Sequence, residues 1–196
     1  MAFNISEFRA NGLIYGGARA SQFRIIMTTP LKSISESRLT FVARASQLPP
    51  SIIDEIPVPY FGRNIKVAGD RTFPDWSIQI MNDEDMPIRA LMERWHNEIN
   101  TLVSNRRGAL FGTGNLEGYK TDAIIQQMGK DGNVIREYTM FGAWPVAVEG
   151  IDVDWGAQNV IENFGVTMAY DWWEATEQNG SPDTYTPFSS GDSTSS

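Results

Sequence analysis

His96 is the only histidine in the chain, and cysteine is absent. Acid–base or nucleophilic chemistry would therefore have to run through one imidazole, carboxylates or hydroxyls. His96 stands beside Trp95, near Glu93 and Asn100, and no Ser, Thr or Asp is singled out as a nucleophile for it to serve. It reads as a histidine on a helix surface. Asp83-Glu84-Asp85 offers the carboxylate oxygens that hard cations take, but the run lacks the spacing and the glycine of a calcium loop. It immediately precedes a helix, where negative side chains favour the free amides and the dipole. Asp152 and Asp154 share parity on an extended piece without a histidine companion, so they read as solvated or interface carboxylates. Gly112-Thr113-Gly114 has neither the lysine nor the further glycines of a phosphate-cradling loop. Arg106-Arg107 is too short for a nucleic-acid patch and reads as a solvated loop. The sequence thus predicts no catalytic residue, no metal and no cofactor.

The elements that position these residues come from periodicity. Residues 1–18 read as an arm, with Asn11-Gly12 and Gly16-Gly17 breaking a short helix-compatible piece. Strands are predicted at about 20–28 and 38–46, the second from a period of two through Leu39, Phe41, Ala43 and Ala45. Leu48-Pro49-Pro50-Ser51 must interrupt it. Residues 52–58 are extended again, with Pro57 and Pro59 placing them at an edge or outside any regular ladder. Gly62-Arg63-Asn64 turns the chain into 65–68, and Trp76, Ile78 and Ile80 share one face of a further strand. One helix is predicted at about 86–100: Asp85 could cap it, Pro87 fits its first turn, and Ile88, Leu91, Met92, Trp95 and Ile99 form a stripe. A glycine-rich excursion follows at about 103–118. Strands at 122–128 and 134–141 are joined by Gly129-Lys130-Asp131-Gly132-Asn133, and Trp144-Pro145 opens another extended piece. A last strand places Glu162, Phe164, Val166, Met168, Tyr170 and Trp172 on one face. Adjacent Trp172 and Trp173 must then face opposite ways, one toward the core and one toward solvent or a partner. Residues 175–196 hold many Ser, Thr, Gly and Pro with acids but no Lys or Arg, and are predicted to form a flexible acidic tail.

The 196 residues suffice for one substantial domain at 19–174, and the 41% apolar fraction supplies its core. The elements predict a mainly β domain with one helix covering a sheet face. No apolar run approaches the roughly 20 residues that span a bilayer, so stable membrane insertion is not expected. The N-terminus lacks a basic region followed by an apolar core, which predicts synthesis and folding in the cytoplasm. A net charge of -8 argues against a surface that grips a phosphate backbone.

Val67-Ala68-Gly69-Asp70-Arg71-Thr72-Phe73, then Asp75-Trp76 and Met81-Asn82-Asp83-Glu84, resembles the signature of the tail tube proteins of T-even-like contractile-tail bacteriophages. The likeness runs from about Gln22 to Glu174. It takes in Ala45 with Leu48-Pro49, Glu55-Ile56-Pro57-Val58, Gly142 with Trp144-Pro145, Asp154-Trp155 and Asp171-Trp172-Trp173-Glu174. The resemblance implies a phage tail tube fold, an antiparallel β-sandwich or small β-barrel with one flanking α-helix, and a structural, non-enzymatic subunit. Homo-hexamer rings would stack into a tube whose lumen conducts DNA, the DNA being transiting cargo. It further implies a tail sheath protein, a baseplate or tube initiator, a length-determining (tape measure) protein and a tail terminator as partners, and a place in the virion tail. A tube subunit of a genome-free contractile injection system (tailocin or type VI-like) is the alternative, and a monomeric β-sandwich binding module is a reading of another class.

In a tube subunit, subunit or ring contacts are expected at Leu48, Pro49, Glu55, Pro57, Asp70, Arg71, Arg106, Arg107 and Trp173. The 48–60 segment is expected to form a stacking loop, being too irregular for an interior strand. Gly69-Asp70-Arg71 is open to two readings: a turn in which Asp70 pairs with Arg71, or a subunit boundary. Arg106 and Arg107 could bridge to an acidic neighbour.

Overall fold

The computed structural model describes residues 17–31, 40, 42–108, 110, 117–158 and 160–177. The arm before residue 17, residues 109 and 111–116 of the 103–118 excursion, and the tail from 178 onward lie outside the described residues. Nine strands are present among them: β1 (Phe23–Met27), β2 (Ala43–Ser46), β3 (Ile52–Tyr60), β4 (Arg63–Thr72), β5 (Trp76–Met81), β6 (Thr121–Met128), β7 (Val134–Val148), β8 (Asn163–Ala169) and β9 (Trp172–Glu177). One helix, α1 (Pro87–Ile99), follows β5.

Two antiparallel sheets share a strand. In the first, β1, β6, β7 and β9 lie side by side; in the second the order is β7, β8, β5, β2. β7 belongs to both because it bends at Gly142, whose φ of 67° is in the left-handed region. Its first half pairs with β6 and β9, and its second half, from Trp144, pairs with β8. A side chain at position 142 would collide with the Asp171 carboxylate. That carboxylate accepts from Lys120 Nζ at 2.8 Å, and the hydrogen bond raises the Lys120 pKa above the ordinary lysine value. Asp171 N donates to Phe141 O across the same corner. Gly142→Ala is therefore expected to cost roughly 1–3 kcal/mol through backbone strain alone, read as a lower midpoint in urea unfolding; an unchanged midpoint would refute the corner's dependence on glycine.

The core fills the space between the sheets. Ile25, Ile125 and Met140 come from the first sheet, Trp76, Ile78, Ile80, Phe164, Val166 and Met168 from the second. The stripe of α1 packs against them, with Ile88, Leu91, Met92 and Trp95 buried. Trp95 Nε1 donates to Tyr119 O at 3.0 Å, which satisfies its polar edge inside the core. This is the mainly β fold with a flanking helix that periodicity predicts, arranged as the sandwich that the family resemblance implies.

Several local expectations are corrected. Residues 40 and 42 are helical, so the strand expected over 38–46 begins only at Ala43. Met86 rather than Asp85 occupies the cap position of α1, with φ 46° and no side-chain cap hydrogen bond. The long strand expected to end at Trp172 is two strands, because the chain steps from one sheet to the other at Tyr170 and Asp171. β9 then runs to Glu177, past the boundary expected after Glu174.

Candidate assembly surface

β3 and β4 hydrogen-bond only to each other. Every residue of β3 is exposed, and so is all of β4 except half-buried Gly69. The hairpin therefore projects from the body. Its register runs from Ile52↔Thr72 to Tyr60↔Arg63 and passes through both prolines, Pro57 opposite Lys66 and Pro59 opposite Asn64. This corrects the expectation of an irregular loop. Two prolines two residues apart turn their nitrogens to the same edge, here the edge away from β4, so no ladder bond is lost. The same arrangement leaves the outer edge of β3 without donors at 57 and 59, which blunts it against strand addition.

The period of two gives the hairpin two unlike faces. Ile56 opposite Val67 and Val58 opposite Ile65 build one apolar face. All four remain between 43% and 53% exposed because nothing packs on them. The other face carries Glu55 and Lys66, joined at 2.7 Å in an exposed pair that adds little stability. Near the hairpin base β4 has one residue more than β3, a bulge at Gly69-Asp70. A Cβ on Gly69 would lie 2.9 Å from Asp54 O, so the bulge requires glycine there. Asp70 and Arg71 form no ion pair with each other or with another described residue. Both are exposed at the bulge, which removes the local-pairing reading.

The base of the hairpin is fixed to both sheets. Trp76 Nε1 of β5 donates to Gln47 O and Ser46 Oγ, each at 2.8 Å. Trp173 Nε1 of β9 donates to Pro50 O at 3.1 Å. Leu48 is exposed and Pro49 buried between these anchors. The structure thus brings together Leu48, Pro49, Glu55, Pro57, Asp70, Arg71 and Trp173 around one arm. Trp173 contacts the core and stacks edge-on with Tyr138, 5.5 Å between centroids. Trp172 is the more open ring of the two, 47% exposed and stacked on Phe141. The step at Asp171 resets the face alternation, and Trp173 is the ring that turns toward the core.

Arg106 and Arg107 stand on a separate element, a tight turn after α1. Thr101 N donates to Arg106 O at 2.9 Å, and Arg107 bridges Asn100. His96 Nε2 lies 3.1 Å from Pro145 O, on the half of β7 that only β8 pairs. It serves a backbone carbonyl. Among the described residues no group of three or more His, Cys, Asp or Glu could hold a metal ion, and no helix is long and apolar enough to cross a membrane.

The sequence reading missed Phe61, 92% exposed at the hairpin tip, and the open side chains of Val153 and Trp155 after β7. An aromatic residue directly before Gly62 in a two-residue turn was the available signal for the first. Nothing in the composition marks the others as unburied.

A model of the phage tail tube protein family matches residues 18–176. The tail tube protein gp19 of Enterobacteria phage T4 is 37% identical over 136 residues, 69% of this chain and 80% of that one. The tail tube protein of Serratia phage KSP90 is 27% identical over 170 residues, 85% and 93% of the two chains. The fold is similar to that of a chain in the six-fold symmetrised baseplate of the anti-feeding prophage, with a TM-score of 0.62 at 12% identity, covering 82% of this chain and 96% of that one. The chain belongs to the phage tail tube protein family, and its role is structural rather than enzymatic.

Proposed function

We propose that this chain builds the tube of a contractile phage tail: six copies close into a ring, rings stack, and the lumen conducts DNA into the host. The observation that carries the reading is the free-standing hairpin. Its apolar face is paired with no other described element, and a contiguous exposed face of this kind marks an interaction surface.

Sheet geometry supports ring closure. β1 and β9 are the outer strands of the first sheet, and they run in opposite directions because each neighbour along β1, β6, β7, β9 is antiparallel. β9 of one copy laid beside β1 of an equally oriented second copy continues an antiparallel sheet. Repeated around an axis, this leaves no edge unpaired in that sheet. The outer face of the sheet would then line the lumen. Asp122, Glu137 and Glu174 stand there against Arg24, an acid-leaning wall that repels phosphates rather than holding them.

The hairpin region, with Leu48, Pro49, Glu55, Pro57, Asp70 and Arg71, meets adjacent copies along the axis, and Trp173 holds its base. Arg106 and Arg107 face a neighbouring subunit or the sheath. A contractile sheath, a baseplate initiator, a tape measure protein and a terminator complete the assembly, which forms in the bacterial cytoplasm. A genome-free injection device would use the same ring and stacking contacts. A capsid on the same particle separates the two.

Negative-stain microscopy of the purified full chain, with and without a baseplate seed, tests the proposal. Rings or hollow filaments are expected. Protein that stays monomeric in both conditions overturns it.

A further inference from the structure

The hairpin tip and the segment between β7 and β8 lie at opposite ends of the second sheet. The hairpin leaves β2 after Ser46 and re-enters at Trp76, which pairs with Met168. The other segment re-enters at Asn163, which pairs with Met81 at the far end of β5. These two features cannot meet within one chain when the hairpin projects outward. They face each other when copies stack head to tail in the same orientation.

The tip carries an unfavourable residue for its geometry. Tyr60 pairs with Arg63, and Phe61 and Gly62 between them have φ of 42° and 79°. Positive φ at both central positions is a type I′ turn, which favours Asn, Asp or Gly. A bulky aromatic there is a genuine outlier, and strain of this kind clusters at functional sites. The Phe61 ring is held edge-on to Tyr60, 4.7 Å between centroids, and points into solvent. Arg63 beside it forms no ion pair among the described residues.

The segment after β7 has the complementary chemistry. It forms an open concavity of about 490 Å³. Val153, Trp155 and Ile161 on its lining are 64% exposed or more. Glu149, Asp152 and Glu162 also line it, and none of them is in an ion pair among the described residues. An aromatic tip beside a cation matches a hollow that combines exposed apolar side chains with carboxylates outside any described ion pair.

We propose that the Tyr60–Arg63 turn of one copy seats in the β7–β8 hollow of the next copy along the axis, with Phe61 against Val153 and Trp155 and Arg63 among the carboxylates. The inference rests on the tube reading and names the receptor for its axial contact.

Three sets of variants of the full chain test it under conditions in which the wild type forms tubes. Phe61→Asn suits the turn better than Phe, so a tip with only a turn's role would leave tube length unchanged or greater, and that result would overturn the proposal. The expected result is rings with few or no tubes. Because the chain has no native cysteine, Phe61→Cys with Val153→Cys isolates the pairing. Oxidation of assembled protein is expected to give a covalent ladder beyond the dimer, which neither single variant gives. Tubes without a ladder overturn the docking and leave the tube reading intact, whereas wild-type protein that forms neither rings nor tubes overturns both. If the cysteine pair itself blocks assembly, charge exchange decides. Arg63→Glu and Asp152→Arg each stop axial growth and together restore it, and failure to restore overturns the proposal.

Discussion

Replacing Ile56 and Val67 together by Ser leaves the β body folded but raises the protein concentration needed for tube growth by at least roughly 30-fold. The two side chains face each other across the hairpin and are about half exposed. The Ser pair therefore removes no buried contact, and body stability should shift by less than about 1 kcal/mol. In an assembled tube the same groups would leave water. Covering the exposed half of an Ile or Val is worth roughly 1–2 kcal/mol by apolar area, so the pair supplies about 2–4 kcal/mol per contact. Sedimentation of tubes across a concentration series reads the shift, with urea unfolding as the control on the body. A critical concentration equal to that of the wild type would mean that the apolar face stays in solvent after assembly.

Trp76→Ala has the largest effect expected on the fold. The side chain is 1% exposed at the start of β5, an inner strand of the second sheet, and removing such a ring costs about 3–5 kcal/mol. Trp76→Phe separates packing from hydrogen bonding. It keeps most of the volume but loses the donor to Gln47 O and Ser46 Oγ, at about 1–3 kcal/mol. Trp95→Phe is the matched comparison, since it also loses one indole donor, to Tyr119 O. Only the change at Trp76 should loosen the hairpin base. Limited proteolysis is expected to nick residues 47–52 faster in Trp76→Phe and to leave that rate unchanged in Trp95→Phe. Equal rates in the two would show that Trp76 serves the core alone.

The parts legible in the sequence are those whose pattern and burial agree. The stripe Ile88, Leu91, Met92, Trp95 has one solution in which all four are covered, and α1 takes it. The turn at 129–133 fixes β6 against β7, with Gly132 at φ 77°. The hairpin was harder because its prolines were judged as missing donors. The missing donors matter only on the paired edge, and sequence does not say which edge that is. The alternation of Ile56, Val58, Ile65 and Val67 predicts one buried face, and that face has no cover among the described residues. The Met86 cap escaped notice because the acidic run offered a conventional alternative. For the tryptophan doublet, sequence fixes only that the rings part; the step at Asp171 decides that Trp173 turns inward. Of the assembly surface, the family likeness marks Asp70, Arg71 and Trp155, while Phe61 required its exposure to be seen.

The double anchorage of the hairpin has a mechanical meaning. One indole from each sheet grips the short run between β2 and β3, so the lever cannot tilt without shearing both layers at once. A push delivered at its tip is shared by the whole sandwich instead of flexing a hinge. Rigidity along a column of such units would then originate in two tryptophan N–H groups and not in the width of the column.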